Sequence, residues 1–480
     1  MNLALPAAAP AGPAPRRARV AAAAPARVRA RPWTLLLVAL AGMLLTYVWR
    51  LQDLFPVLGK GKPAILSSLA ALGLVWISAA PDAVGRTRHP VFRWAAALLG
   101  LCILSVPFGV WPGFSARFIL EDHVKTFLLM ALMVAAIRSV RDVERLIGVH
   151  VAGAALYCVM ILTTFSVGAD GRLGGLVYYD ANDLAMLVVC TFPMVVYLTR
   201  PGANGALRLA ALGVMALFAV TILRTGSRGG FLGLLAVFAV MLWGFRAVPR
   251  AQRIGAVAVV ALLLAVGGGS AFWEKMGTML NPGDDYNWAG NNETGRLEVW
   301  KRGLGYMVQR PVLGVGANAF PMAEGMISPL ASRQEMGQGL KWSAAHNSFV
   351  QVGAELGVPG LLAFLALLAA AFRVTLTLSR ARAADGAPAP HAALAQALTA
   401  TLVGYCVSGF FLSQAYSAFL YSVLGLITAL ACVTACPVEP APVPSLPRRP
   451  AGRGGLLVNE ALPSPLDVER PGPSSSAPIG

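Results

Sequence analysis

The side chains of this chain that could do chemistry gather in four short stretches. LRTGSRGGFLG carries Arg224 and Arg228, with Gly226, Gly229 and Gly230 around them. Guanidinium forks match phosphate oxygens two at a time. The glycines permit a tight turn and leave backbone N–H groups at the start of the next helix, where anions are favoured. ETGRLEVWKRGLG adds Arg296, and HNSFVQVGAELG opens with His346. A histidine with an ordinary pKa of ~6.5 can take a proton from a hydroxyl near neutral pH. Asn347, Gln351 and Glu355 follow it at i, i+4 and i+8, one polar stripe down a helix. DGRLGGLVYYDANDLA offers Arg172, Asp180, Asn182 and Asp183. The chemistry these residue types spell is an anion held by arginines beside a general base. Plainer roles stand next to it. Arg224 and Arg228 could snorkel to lipid headgroups, Arg296 could pair with Glu293 or Glu298, and Asp180 or Asn182 could simply cap a helix. A lone histidine is ordinarily structural.

The elements that must position these residues are membrane helices. Of 480 residues, 57% are hydrophobic and 13% charged, and the mean hydropathy is +0.65; a soluble globular chain has about 25% charged residues. The formal net charge of +17 comes from arginines lying between apolar runs. That is the pattern of membrane topology signals, and it excludes nucleic acid, which needs a soluble basic face. The six cysteines lie in or at the end of apolar runs with no zinc-ligand spacing.

Spanning requires about 20 mostly apolar residues. Twelve stretches qualify: 33–49, 63–80, 92–111, 123–137, 146–167, 183–199, 207–223, 229–245, 254–272, 347–372, 392–412 and 416–436. The fourth is the shortest and follows the mixed stretch SARFILEDHVK. The basic, Ala/Pro-rich residues 1–32 predict a disordered cytoplasmic tail before a retained first helix. Placing that tail inside puts fourteen arginines in short inside loops, against eight basic residues in short outside ones. Both termini are then cytoplasmic, with 437–480 a second disordered tail. The expected organisation is 33–272 as transmembrane helices 1–9, 273–346 as a partly helical outer domain, and 347–436 as helices 10–12. In the outer domain, Leu297, Trp300, Leu304 and Met307 form an apolar face, and NPGDDYNWAGNNETG reads as a mobile turn. Asp284 and Asp285 sit in that turn, and no outer Asp-x-Asp pair points to a metal. Glu355 would lie roughly 13 Å below His346 at 1.5 Å per residue, too deep for the same catalytic centre. Pro359 and Gly360 are expected to kink this helix.

Four stretches resemble the bacterial O-antigen ligase and O-antigen polymerase superfamily: GRLGGLVYYDANDLA, RTGSRGGFLG, TGRLEVWKRGLGYMVQRPVLGVGANAF and HNSFVQVGAELGVPGLL. The resemblance runs over roughly residues 90–436. It implies an all-α polytopic membrane protein of the GT-C-like type, with a periplasmic domain between helices 9 and 10 in the bacterial inner membrane. The activity implied is metal-independent, cofactor-free transfer of a glycan from undecaprenyl diphosphate to an acceptor hydroxyl. His346 falls on the proposed base. Arg228 and Arg296 fall on arginines of the donor diphosphate site, and Arg224 on a less fixed neighbouring position. Arg172, Asn182, Asn347 and Glu355 would support the site. Direct attack by the acceptor would invert the anomeric centre. The acceptor stays open between lipid A–core, a second polyprenyl-linked glycan and a protein hydroxyl. The modest single outer domain favours lipid A–core, hence an O-antigen ligase in lipopolysaccharide biosynthesis. A twelve-span secondary transporter would instead carry internal repeats and binding groups near mid-membrane, and the candidate residues gather at the outer end.

Overall fold

The computed structural model describes residues 33–435, except 79–82, 166–167, 169–172, 174–177, 247, 282, 284, 286, 291 and 334–341. Both tails, Arg172, Asp284 and Cys436 therefore lie outside the described residues. The apolar runs fold as helices. The first is α1 (Leu35–Met43), extended by a π-helical stretch to Val48. It is followed by α2 (Pro63–Ile77) and α3 (Pro90–Ser105). Next comes α4 (Pro112–Phe118), which runs through a π turn at Ile119–His123 into α5 (Val124–Ala136). Then come α6 (Val140–Thr164), α7 (Ala181–Leu198), α8 (Gly205–Thr225), α9 (Arg228–Gly244) and α10 (Arg250–Gly267). The segment read as the outer domain forms α11 (Ser270–Gly277), α12 (Arg296–Gln309) and α13 (Phe320–Met326), and the chain closes with α14 (Ser348–Ser379), α15 (Ala392–Gly409) and α16 (Ala418–Ala435).

Among the described residues, eight helices are long and apolar enough to cross a membrane. The apolar stretches at α1, α2, α5 and α9 form helices shorter than these eight. The environment is legible from the outside. Trp76, Trp243, Leu104, Leu262 and Val266 are exposed on helices that carry almost no charge. Apolar surface on that scale belongs in lipid, not water; this is a multi-pass membrane protein. α7 and α15 are almost wholly buried and form the centre of the bundle.

Two elements depart from the sequence reading. In α12 the buried side is Val299, Gly303 and Tyr306, while Leu304 is exposed. Gly303 decides this: α12 lies so close to α14 and α13 that a Cβ there would come within 2.5 Å of Val350 Cγ1. Arg302 grips both oxygens of the fully buried Glu324 on α13, and the Tyr306 hydroxyl donates to Glu324 at 2.7 Å. Burial first, then the carboxylate beside it, push the Tyr306 hydroxyl well above its usual pKa, so it stays a donor.

The second departure is the break in α14. It falls at Gly357, with φ 69° and ψ −165°, two residues before the expected Pro359. Breaking the helix there frees carbonyls for the loop at 311–320. Val315 N–H donates to Ala354 O at 2.9 Å, Gly316 N–H to Glu355 O at 3.0 Å, and Val358 N–H to Pro311 O at 2.8 Å. A side chain at 357 would collide with the Pro311 carbonyl. Glu355, fully buried, completes the clamp by accepting from Asn318 N–H at 3.0 Å and Phe320 N–H at 3.3 Å.

Candidate functional site

The turn between α8 and α9 is built by its small residues. Gly226 takes the left-handed conformation that ends α8, and buried Ser227 caps α9 by accepting from Gly230 N–H at 3.2 Å. Gly230 serves packing more than turning, since a Cβ there would come within 2.5 Å of Ala185 Cβ on α7. Arg228 thus starts α9 from a turn wedged against the central helix. Its Nη1 donates to Thr278 Oγ1 at 2.8 Å, and its guanidinium pairs with the Asp285 carboxylate.

Asp285 corrects the sequence reading, which left it in a loose turn. It is buried, and it accepts from the backbone and side-chain amides of Asn287 at 2.9 and 3.0 Å. The same turn is anchored by Trp288, whose ring lies 5.2 Å from Trp300 and 6.2 Å from Phe411.

Arg228, Arg296, Lys275, Asn182 and Asn287 line one small cavity of about 50 Å³, floored by Gly226 and Gly229. Three cations and two amides from four different parts of the chain meet there. Four of the five stand in the first or last turn of a helix, and Asn287 lies in the turn before α12. Arg228 and Arg296 are the first residues of α9 and α12, and Asn182 lies in the first turn of α7, donating its N–H to Asp180 at 2.7 Å. The capping residue of α7 is Asp180, in a reciprocal box with Asp183. The acids flanking Arg296 are engaged elsewhere: Glu298 with Lys301 at 2.6 Å and Glu293 with Arg333 at 2.9 Å. Lys275 and Asn287 were missed from the sequence. A single lysine in FWEKMG has no spacing that marks it, and Asn287 sat in the turn read as mobile. Arg224 is not brought into this cavity. It is exposed on the last turn of α8, and its carbonyl accepts from Leu173 N–H at 3.1 Å.

His346 sits at the mouth of α14 in a left-handed backbone conformation, φ 46°. That is uncommon for a side-chain-bearing residue and persists only where the surroundings fix it. Here they do. The preceding carbonyl, Ala345 O, accepts from Trp300 Nε1 at 2.9 Å, and His346 N–H donates to Ser413 Oγ at 2.9 Å. Asn347 caps α14 by accepting from Phe349 and Val350 N–H, at 2.9 and 3.1 Å, and Ser348 Oγ donates to Leu412 O at 2.7 Å. Asn347 and Glu355 thus both hold backbone. Trp300, expected on a bland apolar face, links the two regions. It touches Trp288 beside the cationic cavity and carries the backbone just before His346.

A family model described as O-antigen ligase matches residues 213–365. The match takes in the α8–α9 turn, the segment bearing Lys275, Asp285 and Arg296, and His346 with the broken start of α14. Over those residues the chain carries an O-antigen ligase domain, which supports its membership of the O-antigen ligase and polymerase superfamily. Three of the four resembling stretches lie within the matched residues, and GRLGGLVYYDANDLA lies before them. No curated protein matches the chain. The matched domain implies a glycosyltransferase-type enzyme of the O-antigen ligase family.

Proposed function

We propose that this enzyme moves a glycan from undecaprenyl diphosphate to an acceptor hydroxyl on the periplasmic face of the inner membrane, and that the acceptor is lipid A–core. The observation carrying the reading is the meeting of Arg228, Arg296 and Lys275 on one cavity. A diphosphate leaves readily when its developing charge is met by fixed donors in a water-poor site. The two guanidinium forks and the ammonium supply that charge without a metal. His346 takes the acceptor's proton as the hydroxyl attacks C1, the C1–phosphate bond breaks, and the electron pair leaves with the diphosphate. Attack opposite the leaving group inverts the anomeric centre. Arg224 is peripheral in this scheme.

The cavity, about 50 Å³, is small beside a diphosphate. Donor binding therefore has to open the Arg228–Asp285 pair, with phosphate oxygens replacing the carboxylate.

The test is purified full-length protein given undecaprenyl-diphosphate glycan and, in separate reactions, lipid A–core, a glycan acceptor and a Ser/Thr peptide, all in chelator. Glycosylated lipid A–core is the expected product. His346→Ala should lose about 10²- to 10⁴-fold in turnover while retaining donor binding. The wild-type rate should rise with pH as the imidazole loses its proton, because only the neutral ring accepts one. Product on the peptide or glycan alone would reassign the acceptor, and a well-folded His346→Ala protein with normal turnover would remove the base.

A further inference from the structure

A second cavity, ten times larger, is left without a role by this scheme. It has a volume of about 530 Å³, within the ~300–1,000 Å³ of small-molecule sites. Its wall is drawn from the ends of α1, α4, α7, α14 and α16 and includes Arg50, Tyr178, Asp183, Gln351, Ser413 and Gln414. It shares no lining residue with the cationic cavity, yet the two meet at α7: Asn182 lines one and its neighbour Asp183 the other. Ser413 lines the large cavity and accepts the backbone N–H of His346.

The wall is unsuited to a second phosphate. Glu121, Asp122 and Asp183 outnumber its two cations, Arg50 and Lys125, and Arg50 is already paired with Asp53 at 2.5 Å. It offers instead fixed planar groups that both donate and accept. Gln414 Nε2 donates to Asp183 Oδ1 at 2.7 Å, locking both groups in orientation. The Tyr178 ring is 54% exposed, with the Arg50 guanidinium 3.6 Å from its centroid. Gln351, only 4% exposed, has a side-chain oxygen that accepts no hydrogen bond from the described residues. A buried amide oxygen is seldom left so, and it calls for a donor. Hydroxyl groups on a ring answer all three features: they donate to Gln351, both give and take at Asp183–Gln414, and bring an apolar ring face for Tyr178.

We propose that the large cavity binds the saccharide of the acceptor and presents its hydroxyl toward His346. The inference rests on the glycosyl-transfer reading above and names the acceptor subsite within it. It also gives Gln351, the middle member of the polar stripe, a function distinct from the backbone-holding roles of Asn347 and Glu355.

The test separates the two cavities. Gln351→Ala and Tyr178→Ala are made in the full chain in nanodiscs. Donor KM, acceptor KM and direct binding of delipidated core oligosaccharide, followed by saturation-transfer NMR, are measured for each. Tyr178 lies before α7, so its variant answers the question even where Gln351→Ala folds poorly. Both variants should raise acceptor KM and weaken oligosaccharide binding about tenfold, the loss of one or two sugar contacts, with donor KM unchanged. Unchanged acceptor KM and binding in both variants, or an equal rise in donor KM, overturns the proposal. A wild type that binds core oligosaccharide at this cavity but transfers no glycan would instead overturn the function and leave the subsite standing.

Discussion

At the scale of single residues, the informative pair is Arg228 and Asp285. A buried carboxylate beside three cations lowers the cost of holding those cations together without substrate. It also competes with the ligand they would bind. Replacing it pulls the two effects apart. Asp285→Asn should destabilise the protein by about 1–3 kcal/mol, less than a fully buried pair because Arg228 keeps some solvent contact. The same variant should bind undecaprenyl diphosphate more tightly than wild type, read as a larger rise in thermal midpoint on adding the donor lipid. Weaker donor binding in a folded Asp285→Asn protein would mean that the carboxylate orients Arg228 and does not compete for it.

Among the elements, the break in α14 has the widest consequence. It couples the loop at 311–320 to the helix that His346 heads. Glu355 supplies two of the contacts that hold the loop. Glu355→Ala would strand the Asn318 and Phe320 N–H groups, and a buried unpaired donor costs roughly 1–3 kcal/mol. A loss of about 2–4 kcal/mol is expected, seen as a lower melting midpoint in detergent, while Glu355→Gln keeps an acceptor and loses less. Donor affinity should survive in both; a selective loss of donor affinity at normal stability would give Glu355 a place in the site. Much of this arrangement was legible beforehand. Arg228, Arg296 and Asn182 were picked out beside plainer roles (snorkelling, an ion pair, a helix cap), and one cavity brings the three together. Asp285 and Lys275 were not, since Asp285 pairs with the distant Arg228, Lys275 meets Arg228 and Asn182 only across the folded cavity, and a turn-rich stretch looks loose until something such as Trp288 anchors it. The apolar face of α12 was misplaced for a different reason. Periodicity assumes water on the far side of a helix, and α12 buries a glycine face against α14 while Leu304 stays exposed.

For the molecule as a whole, the turns of one end of the bundle gather around the cavities. Val48 meets Tyr179, Val110 meets Val315, and Asp183 meets Gln414 there. At the other end Arg86 reaches the Ile137 carbonyl and Arg200 pairs with Glu144. We propose that the four short apolar helices cross as well, which would make twelve crossings with residues 34 and 435 both at the end away from the cavities. We propose that this end is cytoplasmic, as the arginine distribution predicts. Cysteines introduced at Asn292 and Ser474 should react oppositely with an impermeant maleimide in spheroplasts, Asn292 labelled and Ser474 protected. Labelling of Ser474 would break the topology and move the reaction to the wrong face.

The central claim is that Arg228 and Arg296 hold one diphosphate between them. Direct binding of undecaprenyl diphosphate to wild type, Arg228→Ala, Arg296→Ala and the double variant measures it. Each single variant should weaken binding by about 10- to 100-fold, the worth of a charge-assisted hydrogen-bond pair. The double variant should lose less than the product of the two, because residues sharing a ligand are coupled, and Arg228→Lys should recover only part of the affinity because a point charge cannot copy the fork. Unchanged affinity in both alanine variants, with the proteins folded, would contradict the account and place the donor elsewhere.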